Sequence, residues 1–226
     1  EKDFAMISGT SMAAPHIAGI AALIKQKHLD WSPTAIKSAL QTTSTVVDQT
    51  GKPLQAQHLS DAGIPALVTA TPFDYGSGAV NPKAALDPGL IFDAGYEDYV
   101  SFLCSVPGVD KGQVVNITSS TCGSKVGRPA DLNTPSIAVS NLFGSQTLLR
   151  KVTNVARKET YKISSSMPPD VSLTIKPSVL IMEVGDTKSF SVTLSSKLPT
   201  GSYSFGEILL QGDKGHRVRI PVAVLA

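Results

Sequence analysis

The residues Gly9-Thr10-Ser11-Met12-Ala13-Ala14-Pro15-His16 set a serine on a glycine-led turn, directly ahead of a helix of small apolar residues, Ile17 to Ile24. A serine hydroxyl is a weak nucleophile that needs an exposed perch, a base, and donors for the charge its attack creates. The turn would supply the perch. The helix start would supply unpaired N–H groups and a partial positive charge where an oxyanion would form. Pro15 has no N–H, so the carbonyl of Ser11, four residues earlier, loses its helical partner at the candidate nucleophile itself. A plainer role exists for either hydroxyl, since Thr10 or Ser11 could simply cap the helix. His16 is no base for Ser11: five residues on, it lies about 140° around the helix, and reads as a packed, hydrogen-bonded helix residue. His28, His58 and His216 read as surface histidines.

The octapeptide resembles the nucleophile motif of the subtilisin-like serine proteases, as does the continuation Asp30-Trp31-Ser32-Pro33-Thr34-Ala35-Ile36-Lys37-Ser38-Ala39-Leu40. Asp87-Pro88-Gly89-Leu90-Ile91-Phe92-Asp93 and Glu97-Asp98-Tyr99-Val100-Ser101-Phe102-Leu103-Cys104 are similar to the plant members of that family. Asp131-Leu132-Asn133-Thr134-Pro135-Ser136-Ile137-Ala138 resembles the opening of their fibronectin-III-like domain, and Val152-Thr153-Asn154-Val155 a second landmark in it. Two positions depart from the pattern: Thr134, where many members have an aromatic residue, and Ala79, where His is expected.

The resemblance implies a mixed fold, the C-terminal fragment of an α/β subtilisin-like catalytic domain followed by an all-β fibronectin-III-like sandwich. The expected boundaries are 1–105 for the catalytic part, 106–130 for a linker and 131–226 for the sandwich. It implies a serine endopeptidase acting on protein or peptide substrates, with Ser11 as nucleophile and no cofactor. In this family the triad runs Asp, His, Ser along the chain. Only ten residues precede Ser11, so the Asp, the His and the side-chain amide donor of the oxyanion hole are expected from an upstream catalytic segment. Of that hole, only the Ser11 backbone N–H carries over. The chain alone is therefore expected to be inactive.

Composition bounds the alternatives. Hydrophobic residues make up 42% and charged residues 17% of 226, which suits a globular protein with a real core. The net charge is +2, with no basic block to suggest nucleic acid or a membrane surface. Ile17 to Ile24 is too short to span a bilayer. The opening Glu1-Lys2-Asp3-Phe4 is charged and lacks an initiator Met, as expected of the middle of a longer polypeptide. Cys104 and Cys122 could be a disulfide or two free thiols, and Asn116-Ile117-Thr118 between them is a glycosylation sequon. Together with the plant resemblance they favour a disulfide-bonded glycoprotein secreted to the apoplast or cell wall. No further Cys pair or His stands at ligand spacing, so no metal site is expected.

Positioning elements follow from pattern. Thr10 to about Gln26 is apolar on nearly every face, a helix that asks to be buried all round by a parallel sheet that the chain does not contain. Ser32 and Pro33 predict the start of a second helix, and Asn81 and Pro82 that of a short third. Residues 44–72 read as an irregular excursion, and residues 73–80 as a short strand and glycine turn. Gly76-Ser77-Gly78 lacks the spacing and lysine of a phosphate loop. Asp87, Asp93, Glu97 and Asp98 read as turn and helix-start carboxylates. From about Asp131, seven short alternating runs separated by Pro, Gly and Asp clusters predict a β-sandwich. A rival reading follows from the incomplete triad: a truncated, non-catalytic sandwich module that binds or supports.

Overall fold

The computed structural model describes residues 7–60, 62–123, 127–197, 199 and 201–226; the charged opening and Thr200, in one of the expected turns, lie outside them. The helices are α1 (Thr10–Lys27), α2 (Pro33–Thr42), α3 (Pro72–Tyr75), α4 (Pro82–Ala85), α5 (Tyr96–Ser105) and α6 (Lys111–Thr118). The first strands are β1 (Gln55–Leu59), β2 (Pro65–Thr69), β3 (Leu90–Ile91) and β4 (Ile137–Val139). Then come β5 (Ser145–Asn154), β6 (Glu159–Ser166), β7 (Ser172–Lys176) and β8 (Val179–Met182). The last three are β9 (Thr187–Ser195), β10 (Ser204–Gly212) and β11 (Arg217–Val224).

The β-rich half is a sandwich of a five-stranded sheet, β4-β11-β10-β6-β8, on a four-stranded sheet, β3-β5-β9-β7. Pairing is antiparallel except between β4 and β11. Inward residues alternate as a half-buried strand requires: Leu148 and Val152 on β5, Phe190, Val192 and Leu194 on β9, Ile208 and Leu210 on β10. The described sandwich has nine strands where seven runs were expected. Strand β8 escapes the alternation rule because its outward residues, Val179 and Ile181, are apolar and exposed. Strand β3 is only two residues long.

Helix starts follow local chemistry. Ser32 Oγ accepts from the Ala35 amide at 3.0 Å with Pro33 at the first helical position, and Asn81 Oδ1 accepts from Ala84 N at 3.1 Å ahead of Pro82. Residues 73–75, expected in a strand, lie in α3 instead. Thr71 and Asp74 close a capping box around it, which outweighs the β propensity of Phe73 and Tyr75. The excursion at 44–72 contains the β1–β2 hairpin, whose residues are nearly all exposed, so no buried face marks it in the sequence. Residues 106–130, expected as a linker, carry α6, and α6 packs with α5 around Val100, Cys104 and Val114. Cys104 and Cys122 are joined by a disulfide.

Helix α1 is not enclosed. Only Ile24 is buried, while Met12, Ile17 and Leu23 are 41%, 40% and 53% exposed. Its covered edge packs on α2 in a small core of Ile24, Trp31, Ala35, Ala39, Ala85 and Ile91. Two cores therefore meet at residues 90–92. Leu90 and Phe92 point into the sandwich core and Ile91 into the helical core, as the period of two dictates. The turn that delivers this strand depends on Gly89, at φ +77°, where an added Cβ would lie 2.6 Å from Tyr161 Oη and 2.7 Å from the His216 ring. Gly89→Ala is expected to cost about 3 kcal/mol of folding free energy through strain and clash; an unchanged urea midpoint would refute this account of the turn.

Candidate functional site

Ser11 is the second residue of α1, one turn-position further into the helix than the sequence suggests, and it is exposed. The N-cap is Gly9, at φ 155° and ψ 154°, a region that only glycine enters without strain. Its carbonyl accepts from Met12 N at 3.0 Å and Ala13 N at 3.1 Å. No side chain caps the helix, so neither hydroxyl is spent on that role. Among the described residues the Ser11 hydroxyl and amide have no hydrogen-bond partner, which leaves a hydroxyl and an N–H donor together at the positive end of an 18-residue helix. Pro15 lies inside the helix, so the Ser11 carbonyl has no amide to accept from four residues on.

All four histidines are committed elsewhere. His16 is exposed rather than packed, and its Nδ1 donates to the Met12 carbonyl at 2.6 Å. His28 stacks on Trp31, centroids 3.8 Å apart, with Nε2 3.1 Å from the Leu86 carbonyl. His58 pairs with Asp74 at 2.7 Å. The Thr71 amide first, then His58, lowers the Asp74 carboxyl to about 2.

His216 is not a surface residue. Its Nδ1 pairs with Glu159, whose side chain is fully buried, and its Nε2 lies 3.2 Å from Asp87. Glu159 also accepts from Tyr161 Oη at 3.1 Å and from Lys214 N at 2.8 Å. The sequence could not place His216 because its partners lie 57 and 129 residues away in the chain, the latter difference being 216 − 87. Of the carboxylates read as turn residues, Asp98 does cap α5, through Gly95 N at 2.7 Å, and Glu97 sits in its first turn. Asp93 and Asp87 act at long range instead. Asp93 accepts from Ser32 Oγ at 2.7 Å and from Thr34, fastening β3 to the start of α2.

Two asparagines carry more structure than their sequence positions reveal. Asn133 donates to the carbonyls of Asp93 (3.0 Å) and Lys151 (2.9 Å) and accepts from Lys151 N. Asn154, buried, donates to the carbonyls of Arg157, Met182 and Glu183. Thr134, a departure noted above, hydrogen-bonds with Ser136, and Ala79 bridges to Thr45. Asn116 is exposed on α6. Among the described residues no cluster of three or more His, Cys, Asp or Glu could hold a metal ion, and no helix is long and apolar enough to cross a membrane.

With this geometry in place, the comparisons with known proteins are decisive. Residues 1–78 match the profile of the subtilase family and residues 131–224 that of a fibronectin type-III domain. The chain is 58% identical over 223 residues to the subtilisin-like protease SBT2.6 of Arabidopsis thaliana. It is 59% identical to SBT2.5 and 48% identical to SBT2.3 of the same plant. The chain belongs to the subtilase family. The three alignments cover 98 to 99% of this subtilase chain and 27% of each relative, so it spans about a quarter of their length. Ser11 falls in the segment matched by the subtilase profile, and the sandwich of this subtilase is fibronectin-III-like.

The His216 cluster yields a pH dependence. Burial pulls the imidazole pKa down, but hydrogen bonds to Glu159 and Asp87 outweigh it and hold it above 6.5. Burial likewise pushes Glu159 up, and the bonds from His216 and Lys214 N hold it below its ordinary value. A raised imidazole pKa stabilises the fold fully below the unfolded pKa, about 6.5, and the benefit is lost as pH rises through the folded value. The Glu159 share is present above about pH 4.3 and lost on acidification. The cluster therefore stabilises most between those limits. His216→Gln is expected to flatten the decline of Tm from neutral to mildly alkaline pH; a variant with the parent's slope would refute the assignment.

Proposed function

We propose that this chain carries the nucleophile of a serine-type endopeptidase, with Ser11 as the attacking residue. The observation that supports it most is that Ser11 stands exposed at the start of α1 with its hydroxyl unused for capping and its amide unpaired. Ser11 Oγ attacks the scissile carbonyl while an upstream His accepts its proton and an upstream Asp orients that His. The Ser11 amide donates to the oxyanion. The imidazolium then protonates the leaving amine, and water, deprotonated by the same His, releases the acyl group and restores Ser11. Protein or peptide substrates follow from this chemistry, which requires no cofactor.

The isolated chain, with every histidine bonded elsewhere, is expected to be inactive. Loss of Ser or His costs subtilisin itself on the order of 10⁶ in turnover. Ser11→Ala in the complete protein should lower peptide hydrolysis by a similar factor and leave the circular dichroism unchanged; retained hydrolysis removes Ser11 from the role. A fluorophosphonate probe should label Ser11 in the complete protein and not in the isolated chain.

The same reading divides the chain into a catalytic part over 1–105, a connecting segment over 106–130 and a supporting sandwich over 131–226, and places the protein outside the cell. The Cys104–Cys122 disulfide and the exposed Asn116 support the secreted route. Peptide N-glycosidase treatment of the natural protein should reduce its mass, and Asn116→Gln should abolish that change; a natural protein of unaltered mass would exclude a glycan at Asn116.

A further inference from the structure

A cleft of about 870 Å³ opens where the helical part meets the sandwich, bounded by the end of α2, by α4 and by the β10–β11 turn. Four cations from three stretches of chain line it: Lys83 on α4, Arg157 between β5 and β6, and, in one hairpin, Lys214 in the β10–β11 turn and Arg217 at the start of β11. All four are exposed, and among the described residues none has an ion-pair partner. Asp87 is the single carboxylate in the lining, and it is engaged by His216 at 3.2 Å. In a chain with 20 basic and 18 acidic residues, this concentration of one sign is not the surface average. Like charges gathered around one concavity repel each other, and low-dielectric walls focus their field. Among the described lining residues only Asp87, already engaged by His216, offsets that cost. An anion seated in the cleft would offset it further.

We propose that this cleft binds an acidic oligosaccharide, a chain of sugars bearing uronate or sulfate groups. The volume suits an extended ligand of several linked units rather than one compact anion. Two arginines offer paired N–H donors that match a carboxylate or sulfate edge, and two lysines add point charges. Between the cations the lining mixes small residues, Ala84, Pro88 and Ala156, with polar ones: Thr43 and Thr45, whose hydroxyls donate to the Ala39 and Val47 carbonyls and keep acceptor capacity, and Asn81, which uses Oδ1 for its helix cap and leaves its NH₂ unpaired among the described residues. No Phe, Tyr, Trp, Leu, Ile, Val or Met side chain lines the cleft. An acidic peptide would find no pocket for the apolar anchors on which peptide recognition relies. A polyhydroxylated anion finds the Asn81 NH₂ as a donor and the threonine oxygens as acceptors between the cations. One arginine is already braced, with Arg157 Nη2 donating to the Lys214 carbonyl at 3.3 Å, so part of the ordering cost is met before binding.

The site is separate from the Ser11 chemistry and does not depend on it. The test is calorimetric titration of the complete protein with a short oligogalacturonate and, in parallel, a sulfated oligosaccharide, at low and physiological ionic strength. Binding is expected from at least one of them, and the two arms distinguish carboxylate from sulfate as the preferred group. Affinity should weaken about tenfold at the higher salt. Arg157→Glu with Arg217→Glu should weaken it by a further tenfold or so, with Tm unchanged because both side chains are exposed. Lys83→Glu with Lys214→Glu is an independent pair should the first fail to fold. Absence of binding by both saccharides, equal binding by the charge-reversed proteins, equal binding of the fully methyl-esterified oligomer, or tighter binding of polyglutamate or inorganic phosphate would each overturn the proposal.

Discussion

Three consecutive side chains, Leu90, Ile91 and Phe92, hold the two halves of this molecule together. Successive residues of a strand face opposite ways, so Leu90 and Phe92 enter the sandwich core while Ile91 enters the core beneath α1 and α2. Burial of each such side chain is worth about 1.5–3 kcal/mol, and none of the three can be withdrawn without opening one core or the other. Backbone bonding reinforces the arrangement. Strand β3 pairs with β5 on one side, and on the other the Phe92 amide donates to Ser38 Oγ of α2 at 2.8 Å. The position of Ser11 follows mechanically: α1 is anchored through Ile24, which packs in the same core as Ile91. The sandwich therefore helps set where the Ser11 helix stands.

Polar contacts around that stitch are directional where the apolar ones are not. The Asp93 carboxylate, two residues past β3, ties the chain to the N-terminus of α2, Asn133 ties the Asp93 backbone carbonyl to β5, and His216 lies between Asp87 and Glu159. Arg219, nearly fully buried on β11, donates to the Ser77 carbonyl and lies 3.6 Å from Glu207. Arg150, equally buried, donates to the carbonyls of Ala130, Ser136 and Leu149, and burial lowers its guanidinium to about 10. A buried cation bonded to backbone carbonyls fixes the path of the chain entering β4, because leaving it unpaired would be costly. The cations of the basic cleft sit on the solvent side of this junction, where Asp87, engaged by His216, is the one lining carboxylate.

What could be read before the structure shares one property: it is local. Ser32 and Asn81 announce helix starts because a cap and the residue it serves are three positions apart. Strands β5, β9 and β10 declare themselves because each has one wet face and one dry one. The motif around Ser11 is eight adjacent residues. The features that escaped lack such a marker. The β1–β2 hairpin has no buried face, β8 is apolar on both faces, and β3 is too short to show a period.

The sequence by itself determined the family, the mixed architecture, the starts of α2 and α4 and the serine at the head of α1, since each rests on short-range spacing or on a contiguous motif. Only the tertiary structure decided that Gly9 rather than a hydroxyl residue caps that helix, and that His216 is held between two carboxylates. It alone made residues 90–92 a shared wall of two cores and gathered four cations from three distant segments into one cleft. Charge and burial depend on what lies nearby in space. For these residues the neighbours come from parts of the chain that no spacing rule connects.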